Sequence, residues 1–364
     1  MNARLLLVCA CVLTLACAWI VIPPPTLPAV VAADLAIEWS PWLFAAGLLL
    51  LLLLARARAP NRTRAAALVL ACADIVISAL PVLFIPSDRR QAIFGPGAHA
   101  RSFQVYENPL TVAFEGRRLR LLEFFPLGAP ACRPIVFALY GGAWQRGSPD
   151  KDANLNRALA ARGYDVFALD YRHAPAFAFP AALHDVTEEM RIVRSIVTRD
   201  AKCTPRVALI GHSSGGELAL LAAYAPGSKV DAVVSYSGPL DLARAYASPP
   251  HPDPIDARSV MQAYIGSPPE SAPQAYRAAS PRSFVRPGLP PTLLIYGGRD
   301  HIVQIEHARD FRDASKATGD DVSLVELPWA EHAFEEVPAG LHGRVALAAV
   351  EAFFGRTLPL TKSP

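Results

Sequence analysis

The chain carries the stretch VALIGHSSGGELALLAAY at residues 207–224, where an apolar run breaks at small residues and good helix formers follow. The apolar run is typical of a buried strand, and the residues after the break favour a helix. Gly211 and Gly215 flank Ser213 in a Gly-x-Ser-x-Gly frame. A sharp turn from strand to helix needs flanking residues almost without side chains, and it leaves the central hydroxyl exposed at the sheet edge. The stretch therefore predicts a nucleophilic Ser213. Ser214 is the rival, but it does not stand at the centre of the frame.

A serine hydroxyl attacks a carbonyl only when a base takes its proton, and the base needs an acid that fixes its tautomer. Both groups are available later in the chain. Asp300 follows the strand pattern PTLLIY after two glycines and an arginine, and His332 lies on the loop after the strand pattern VSLVEL. The order Ser, acid, His favours Ser213, Asp300 and His332 as a catalytic triad. Asp241, on the loop after an earlier strand pattern, is the alternative acid. His212 is expected to face the sheet and to serve packing.

Such chemistry also needs backbone amides that stabilise the oxyanion of the tetrahedral intermediate. An apolar strand pattern at 135–140 ends in Gly-Gly-Ala-Trp, one strand-helix-strand-helix unit before the serine turn. A Gly-Gly pair alone indicates only a turn, but at this spacing its small residues let the backbone approach a substrate oxygen. We expect the amides of Gly142 and Ala143, with that of Ser214, to form the oxyanion hole.

Together these motifs resemble those of α/β-hydrolases of the hormone-sensitive-lipase and carboxylesterase type. Bacterial acetyl- or feruloyl-esterase-like members and kynurenine-formamidase-like relatives are particularly similar. The matching segments are YGGAW (140–144), DYRHAP (170–175) continuing to FPAA (179–182), GHSSGG (211–216), and GGRD (297–300) followed by HAF (332–334). The resemblance runs from about residue 100 to the C-terminus, and it implies a serine hydrolase acting through an acyl-enzyme. The chain departs from the family pattern at Tyr140, where His is usual, and at Ala176, where Glu is usual.

Strand and helix patterns alternate through this region, which predicts the α/β class with a doubly wound, mostly parallel sheet covered by helices on both faces. The predicted strands lie near 119–125, 134–140, 165–170, 207–212, 231–236, 291–296 and 322–327. The predicted helices lie near 152–162, 181–199, 215–224, 304–317 and 340–354. Residues 239–288 are rich in proline, which argues against regular core structure and predicts a lid insertion above the site. A passive surface excursion is the alternative.

The first 90 residues have a different composition. Their apolar runs approach the length that crosses a bilayer, and they lie near 5–22, 39–55 and 65–85. We therefore expect a membrane anchor at 1–90 with two to three transmembrane helices, followed by a catalytic domain at 91–364. Residues 5–18 have a rival interpretation as a cleavable signal peptide, because the run Ala-Cys-Ala at 16–18 resembles a cleavage site.

Charge predicts the orientation of this anchor. The link between the second and third apolar runs holds Arg56, Arg58, Arg62 and Arg64, whereas the link between the first and second holds acidic residues and no Lys or Arg. Positively charged links stay in the cytoplasm. The catalytic domain is therefore predicted to lie on the exterior or periplasmic side.

An exterior location would allow a disulfide to persist. Cys132 and Cys203 are the only cysteines outside the apolar N-terminal region. Each lies about eight residues before the exit of its strand, and those two strands are expected to be parallel neighbours. Their Cα atoms could therefore fall within the roughly 4.4 to 6.8 Å that a disulfide needs. Two free thiols are the alternative.

Composition limits the remaining function classes. The net charge is +3 at pH 7 with no long basic stripe, so no nucleic-acid partner is expected. Paired metal-ligand motifs and phosphate-binding glycine loops are absent from the sequence, so we expect neither a metal nor a cofactor. The expected partners are a small-molecule or lipid ester and the membrane. An amidase, peptidase or acyltransferase could use the same triad, and a non-catalytic receptor or adhesion module is the more distant alternative.

Overall fold

The computed structural model describes residues 3–57, 61–90, 103–129, 132–201, 203–337 and 339–360. Its N-terminal part consists of four helices: α1 (Ala3–Val21), α2 (Leu27–Glu38), α3 (Ser40–Arg56) and α4 (Asn61–Leu83). By length and composition, Arg4–Val21 and Arg62–Leu83 can each cross a bilayer, and α2 with α3, bent by 66°, could form a third span. The prediction of two to three candidate spans is confirmed. The sequence patterns did not predict α2, and Arg58 lies outside the described residues.

Helices α1, α3 and α4 form a bundle. Leucines of α1 and α3 pack on alanines of α4, because small residues allow helix backbones to approach closely. The cluster includes Leu6, Leu50, Leu54, Ala67 and Ala71. Asp74 of α4 faces α1, where its carboxylate accepts a hydrogen bond of 3.1 Å from Thr14 Oγ1.

An eight-stranded sheet forms the centre of the catalytic domain. Its strands are β1 (Val105–Phe114), β2 (Arg117–Pro126), β3 (Ile135–Leu139), β4 (Asp165–Leu169), β5 (Val207–His212), β6 (Ala232–Tyr236), β7 (Thr292–Gly297) and β8 (Val322–Leu327). The order is β1-β2-β4-β3-β5-β6-β7-β8, with β3 to β8 parallel and β1 and β2 antiparallel. The predicted mostly parallel sheet is confirmed. The predicted strands did not include β1, because this edge strand is half exposed and contains Pro109, which only an edge position tolerates.

Helices cover both faces of the sheet. On one face lie α6 (Ala181–Ala201), α7 (Ser214–Tyr224) and α11 (Ile305–Ala317), and on the other lie α5 (Ala153–Ala161) and α12 (Leu341–Thr357). All six residues of β5 are buried, as its uninterrupted apolar pattern indicates. This arrangement places the serine turn at the carboxyl edge of a strand that is fixed from both sides.

The segment between β6 and β7 contributes no strand to the sheet. It contains three short helices, α8 (Leu242–Ala247), α9 (Ala257–Ile265) and α10 (Pro273–Ala278). It is therefore an insertion outside the sheet, and its role as a lid stays a prediction. Pro273 stands in the first turn of α10, where the missing N–H has no helical partner in any case. Met261 and Tyr264 of α9 are buried against the catalytic domain.

The two predicted cysteine partners are joined. Strands β3 and β5 are parallel neighbours with Ile135 opposite Val207. Just before these residues, Cys132 and Cys203 form a disulfide with a Cα–Cα distance of 6.1 Å. The predicted pairing is thus confirmed. The parallel register of β3 and β5 brings the two cysteines together.

The N-terminal helices dock on the catalytic domain at the carboxyl edge of the sheet, where the serine turn also lies. Glu38, at the end of α2, accepts hydrogen bonds from the amide and Nδ1 of His342 at 2.7 and 2.6 Å. Both side chains are fully buried. Arg299 Nη2 donates to the carbonyl of Val21 at 3.1 Å, next to the proposed acid. The end of α1 and the end of α2 therefore meet the loops that follow β7 and β8.

Candidate active site

The serine turn has the strained geometry that its sequence predicts. Ser213 follows β5 with φ 51° and ψ −120°, a conformation that a non-glycine residue rarely adopts. A Cβ at Gly211 would overlap the carbonyl oxygen of Gly215, and one at Gly215 would overlap the carbonyls of Leu139 and Tyr140. Glycine is therefore required at both flanking positions. Such strain persists only where the surrounding structure enforces it, and it is frequent at active sites.

The structure brings Ser213, His332 and Asp300 into one hydrogen-bonded chain. His332 Nε2 lies 3.0 Å from Ser213 Oγ, and His332 Nδ1 lies 2.8 Å from Asp300 Oδ2. The other Asp300 oxygen accepts the amides of Ile302 and Val303 at 2.8 and 2.7 Å. The carboxylate is thus held in one orientation, which makes Nδ1 of His332 the protonated nitrogen and leaves Nε2 free to accept the serine proton.

Burial and the neighbouring carboxylates shift the pKa of His332 in opposite directions. Burial alone would lower the pKa of His332, but the neighbouring carboxylates, chiefly Asp300, together outweigh burial, so its pKa is raised. Glu331 also contributes to this rise and accepts hydrogen bonds from the amide and Nδ1 of His301 at 2.7 and 2.6 Å. Sequence reasoning missed Glu331. It links the loop that carries Asp300 to the loop that carries His332.

The alternative acid Asp241 and the alternative nucleophile Ser214 make other contacts. Asp241 accepts the amide of Arg244 at 3.1 Å and so caps the start of α8, while no contact with His332 is found in the described part of the chain. Ser214 is buried and accepts the amide of Gly142 at 3.1 Å. The geometry therefore favours Asp300 as the acid and Ser213 as the nucleophile.

The loop after β3 carries Gly142 and Ala143, and we call it the oxyanion loop. Only part of the predicted set of free amides is found there and at Ser214. Ala143 has φ 56°, and neither its amide nor that of Ser214 has an acceptor within the described ranges. The amide of Gly142, in contrast, already donates to the Ser214 hydroxyl. Two of the three predicted donors are thus available. The third is occupied because the Ser214 side chain lies between the serine turn and the oxyanion loop.

Aromatic residues hold this loop in place. The Tyr140 hydroxyl donates to Asp170 Oδ1 at 2.6 Å and lies 2.9 Å from His173 Nε2, so the residue that replaces the family's usual histidine is itself anchored. Trp144 Nε1 donates to Glu217 at 3.0 Å. The Trp144 ring stacks on Tyr264 of α9 with a centroid distance of 4.1 Å. These contacts join the oxyanion loop to the insertion.

Glu217 is a second acidic residue that sequence reasoning missed. It is completely buried in α7 and contacts both the Trp144 indole and the Tyr264 hydroxyl, the latter at 3.3 Å. Burial raises its pKa well above the ordinary value. Burial thus favours the neutral carboxyl group, and Glu217 connects Trp144 to α9 through hydrogen bonds.

His212 has the packing role expected from its position. Its ring stacks on Tyr236 at 4.7 Å, and Nδ1 lies 2.9 Å from Glu335 Oε1. Burial disfavours the charged imidazole, but the carboxylates of Asp152 and Glu335 outweigh burial and raise its pKa to about 9. His212 is therefore a charged partner of Glu335, and both residues line the cavity on the side of α2.

Two cavities meet at Ser213. The apolar cavity is lined by residues of the insertion and of the β7–α11 loop, including Pro239, Val260, Met261 and Val303. The second cavity lies on the side of α2, and both charged and apolar residues line it. We call it the polar cavity because its lining includes Asp34, Arg146, Lys151 and Glu336. Within the described residues, no cluster of three or more His, Cys, Asp or Glu side chains could hold a metal ion. The Ser213 hydroxyl, the His332 imidazole and the free amides therefore lie together between the apolar and the polar cavity.

Comparison with known proteins agrees with this geometry. Residues 124–314 match the BD-FAE family. The chain is 29% identical to the probable carboxylic ester hydrolase LipM of Mycobacterium tuberculosis, over 60% of this chain and 53% of that protein. It is 32% identical to the esterase LipC of the same organism, over 59% of this chain and 56% of that protein. The chain thus spans about half the length of these curated relatives.

A solved structure shows the same architecture. The esterase Est2 of Thermogutta terrifontis, in its propionate-bound form, is 25% identical and superposes with a TM-score of 0.57 over 74% of this chain and 99% of that one. The BD-FAE match spans more than half of the chain, and the parallel sheet with its serine turn agrees with it. The chain therefore belongs to the BD-FAE family, within the α/β-hydrolases of the hormone-sensitive-lipase and carboxylesterase type.

Proposed function

We propose that the protein is a membrane-anchored serine hydrolase that cleaves carboxylic esters through an acyl-enzyme. The observation that carries this proposal is the chain of contacts from Ser213 through His332 to Asp300, located where the two cavities meet. The similarity to LipM and LipC supports an ester as the substrate. Residues 1–90 would form the anchor and residues 91–364 the catalytic domain.

The reaction follows from the positions of these groups. Ser213 Oγ attacks the ester carbonyl carbon while His332 Nε2 takes the hydroxyl proton. The amides of Ala143 and Ser214 stabilise the oxyanion, and the Gly142 amide could join them if the Ser214 hydroxyl turned away. The carbon–oxygen bond to the alcohol then breaks, and the alcohol leaves with the proton from His332. Water, activated by His332, releases the acid and regenerates Ser213.

The arrangement of the N-terminal helices supports an exterior catalytic domain. Helix α3 begins beside α2 on the catalytic domain and runs for 17 residues to Arg56. At 1.5 Å per residue, Arg56 is roughly 25 Å from that end. Arg62 and Arg64 begin α4 at the same distant end of the bundle. The positively charged end would stay in the cytoplasm, and the Cys132–Cys203 disulfide is compatible with an oxidising exterior.

A labelling experiment tests the catalytic assignment. We expect a fluorophosphonate probe to label the native protein and Ser214→Ala, but not Ser213→Ala. We also expect Ser213→Ala to lose several orders of magnitude of ester hydrolysis, since only oxyanion stabilisation and binding remain. A panel of chromogenic esters from acetyl to palmitoyl, measured beside an anilide, distinguishes an esterase from an amidase. Labelling of Ser213→Ala would contradict the assignment.

A second experiment tests the topology. Protease added to intact cells or spheroplasts should digest the catalytic domain and spare a cytoplasmic marker. Protection of the catalytic domain until the membrane is broken would contradict an exterior location.

A further inference from the structure

Helix α2 contributes directly to the active site. Leu27, Val30 and Asp34 of this helix line the polar cavity, which also contains Ser213 and His332. The buried contact between Glu38 and His342 holds the end of α2 against the catalytic domain. The N-terminal region therefore forms one wall of the cavity in which the ester would be cleaved.

Asp34 is the unusual residue in this wall. Its side chain is only 3% exposed, and its Oδ1 atom is buried without a hydrogen-bond partner. No ion pair or hydrogen bond to its carboxyl group is found in the described part of the chain. A buried carboxyl group without a partner is costly, so its presence needs an explanation. A substrate group that enters the cavity would supply the missing partner.

The surrounding charges restrict the chemistry of that group. Glu331, Glu335 and Glu38 all act on Asp34 as negative neighbours, so an anion is disfavoured beside it. A hydrogen-bond donor is favoured instead.

The other charges of the cavity are nearly balanced. Lys151 pairs with Glu336 at 2.8 Å, and His212 pairs with Glu335 at 2.9 Å. Arg146 adds a further positive charge to the lining, so no excess of negative charge remains to attract a cation. A neutral donor, such as a hydroxyl group, therefore fits this cavity better than a cation.

The structure assigns a substrate class on this basis. We propose that Asp34 accepts a hydrogen bond from a hydroxyl group on the alcohol portion of the ester, so that the preferred substrates are acyl monoesters of a polyol. The acyl chain would occupy the apolar cavity beside Val260 and Met261, and the polyol would occupy the polar cavity beside α2. This inference rests on the proposed ester hydrolysis and specifies its substrate.

A kinetic comparison tests the role of Asp34. Glyceryl monobutyrate and methyl butyrate share the acyl group and differ in the hydroxyl groups of the alcohol. We expect Asp34→Leu in the full-length protein to lower the ratio of their kcat/KM values about tenfold, the loss expected when a buried hydrogen bond to the substrate is removed. Asp34→Asn keeps an acceptor oxygen and should retain more of this preference. Leu35→Ala, on an exposed position of the same helix, is the matched control and should leave the ratio unchanged.

A binding measurement separates this inference from the proposed function. Ser213→Ala in nanodiscs is titrated calorimetrically with 1-O-hexylglycerol, an ether that cannot be hydrolysed, and with 1-methoxyhexane. Adding Asp34→Leu should weaken binding of the glyceryl ether about tenfold more than binding of the methyl ether. If both esters resist hydrolysis while this difference is observed, the ester hydrolase proposal fails and the role of Asp34 stands. If the esters are hydrolysed but neither the ratio nor the binding depends on Asp34, this inference is overturned.

Discussion

Replacement of Asp300 by asparagine tests the proposed triad most directly. Asp300 Oδ1 accepts the amides of Ile302 and Val303, while Oδ2 accepts Nδ1–H of His332. An asparagine must keep its single carbonyl oxygen toward the two amides, because they are donors. Its NH₂ group would then face His332 Nδ1, which would have to become an acceptor.

This change reverses the histidine tautomer. The proton would move to Nε2, the atom that lies 3.0 Å from Ser213 Oγ and should accept the serine proton. We expect kcat to fall about 10⁴-fold, equivalent to about 5 kcal/mol of transition-state stabilisation. The same substitution removes the carboxylate that raises the pKa of His332. Activity requires a neutral imidazole, so the acid limb of the native pH profile should lie above 6.5 and should move to lower pH in Asp300→Asn.

The assay is steady-state hydrolysis of a chromogenic butyrate ester between pH 5 and pH 9, with circular dichroism as the check on folding. Asp241→Asn is the matched control and should change kcat less than about twofold, since asparagine caps a helix as well as aspartate does. The reasoning is refuted if Asp300→Asn keeps more than about a tenth of the native kcat. An equal loss in Asp241→Asn would move the acid to that residue.

Three further predictions concern stability and the support of the site. Mass spectrometry of the non-reduced protein should show a linked peptide pair containing Cys132 and Cys203, whereas quantitative alkylation without reduction would disprove the bond. Because the cysteines are separated by 71 positions, the variant with serine at both should lose about 4 kcal/mol of unfolding free energy in denaturant titration. Glu217→Gln should keep activity within a few-fold, because burial raises the pKa of this carboxyl group and favours its neutral form, which glutamine resembles. Glu217→Leu should lose about 1 to 3 kcal/mol of unfolding free energy by leaving the indole donor unpaired; equal losses of unfolding free energy in both variants would show that Glu217 is charged. The pKa of His212 is raised to about 9, so its contribution to stability is present below about pH 6.5 and is lost as the pH rises through about 9. The melting temperature of Glu335→Gln should accordingly depend less on pH over that window than that of the native protein, and identical curves would exclude the coupling.

The positions of the proposed triad residues could be predicted from sequence, because the serine turn and the two strand ends each depend on local rules. The turn at Ser213 requires glycine on both sides, since any Cβ there would overlap a carbonyl oxygen. Asp300 and His332 each follow an apolar strand pattern, and parallel strands bring their carboxyl ends to one edge. Even the Cys132–Cys203 pairing followed from counting residues back from two strand exits.

The parts that sequence reasoning missed depend on contacts between distant segments. Glu38 and His342 are separated by 304 positions, and no local pattern indicates that they pair. Helix α2 lies between two apolar runs and was not predicted, so the burial of Asp34 beside the site could not be foreseen. The occupied amide of Gly142 likewise depends on how the Ser214 side chain packs.

Sequence by itself therefore determined the sheet, the serine turn, the order of the proposed triad and the candidate membrane spans. These follow from hydrophobic periodicity and turn chemistry, which act over a few residues. The tertiary structure alone decided which acid reaches His332, which amides remain free for an oxyanion, and that an N-terminal helix forms a wall of the cavity. These depend on packing between elements that are far apart in the chain, where geometry and charge are set by the whole fold.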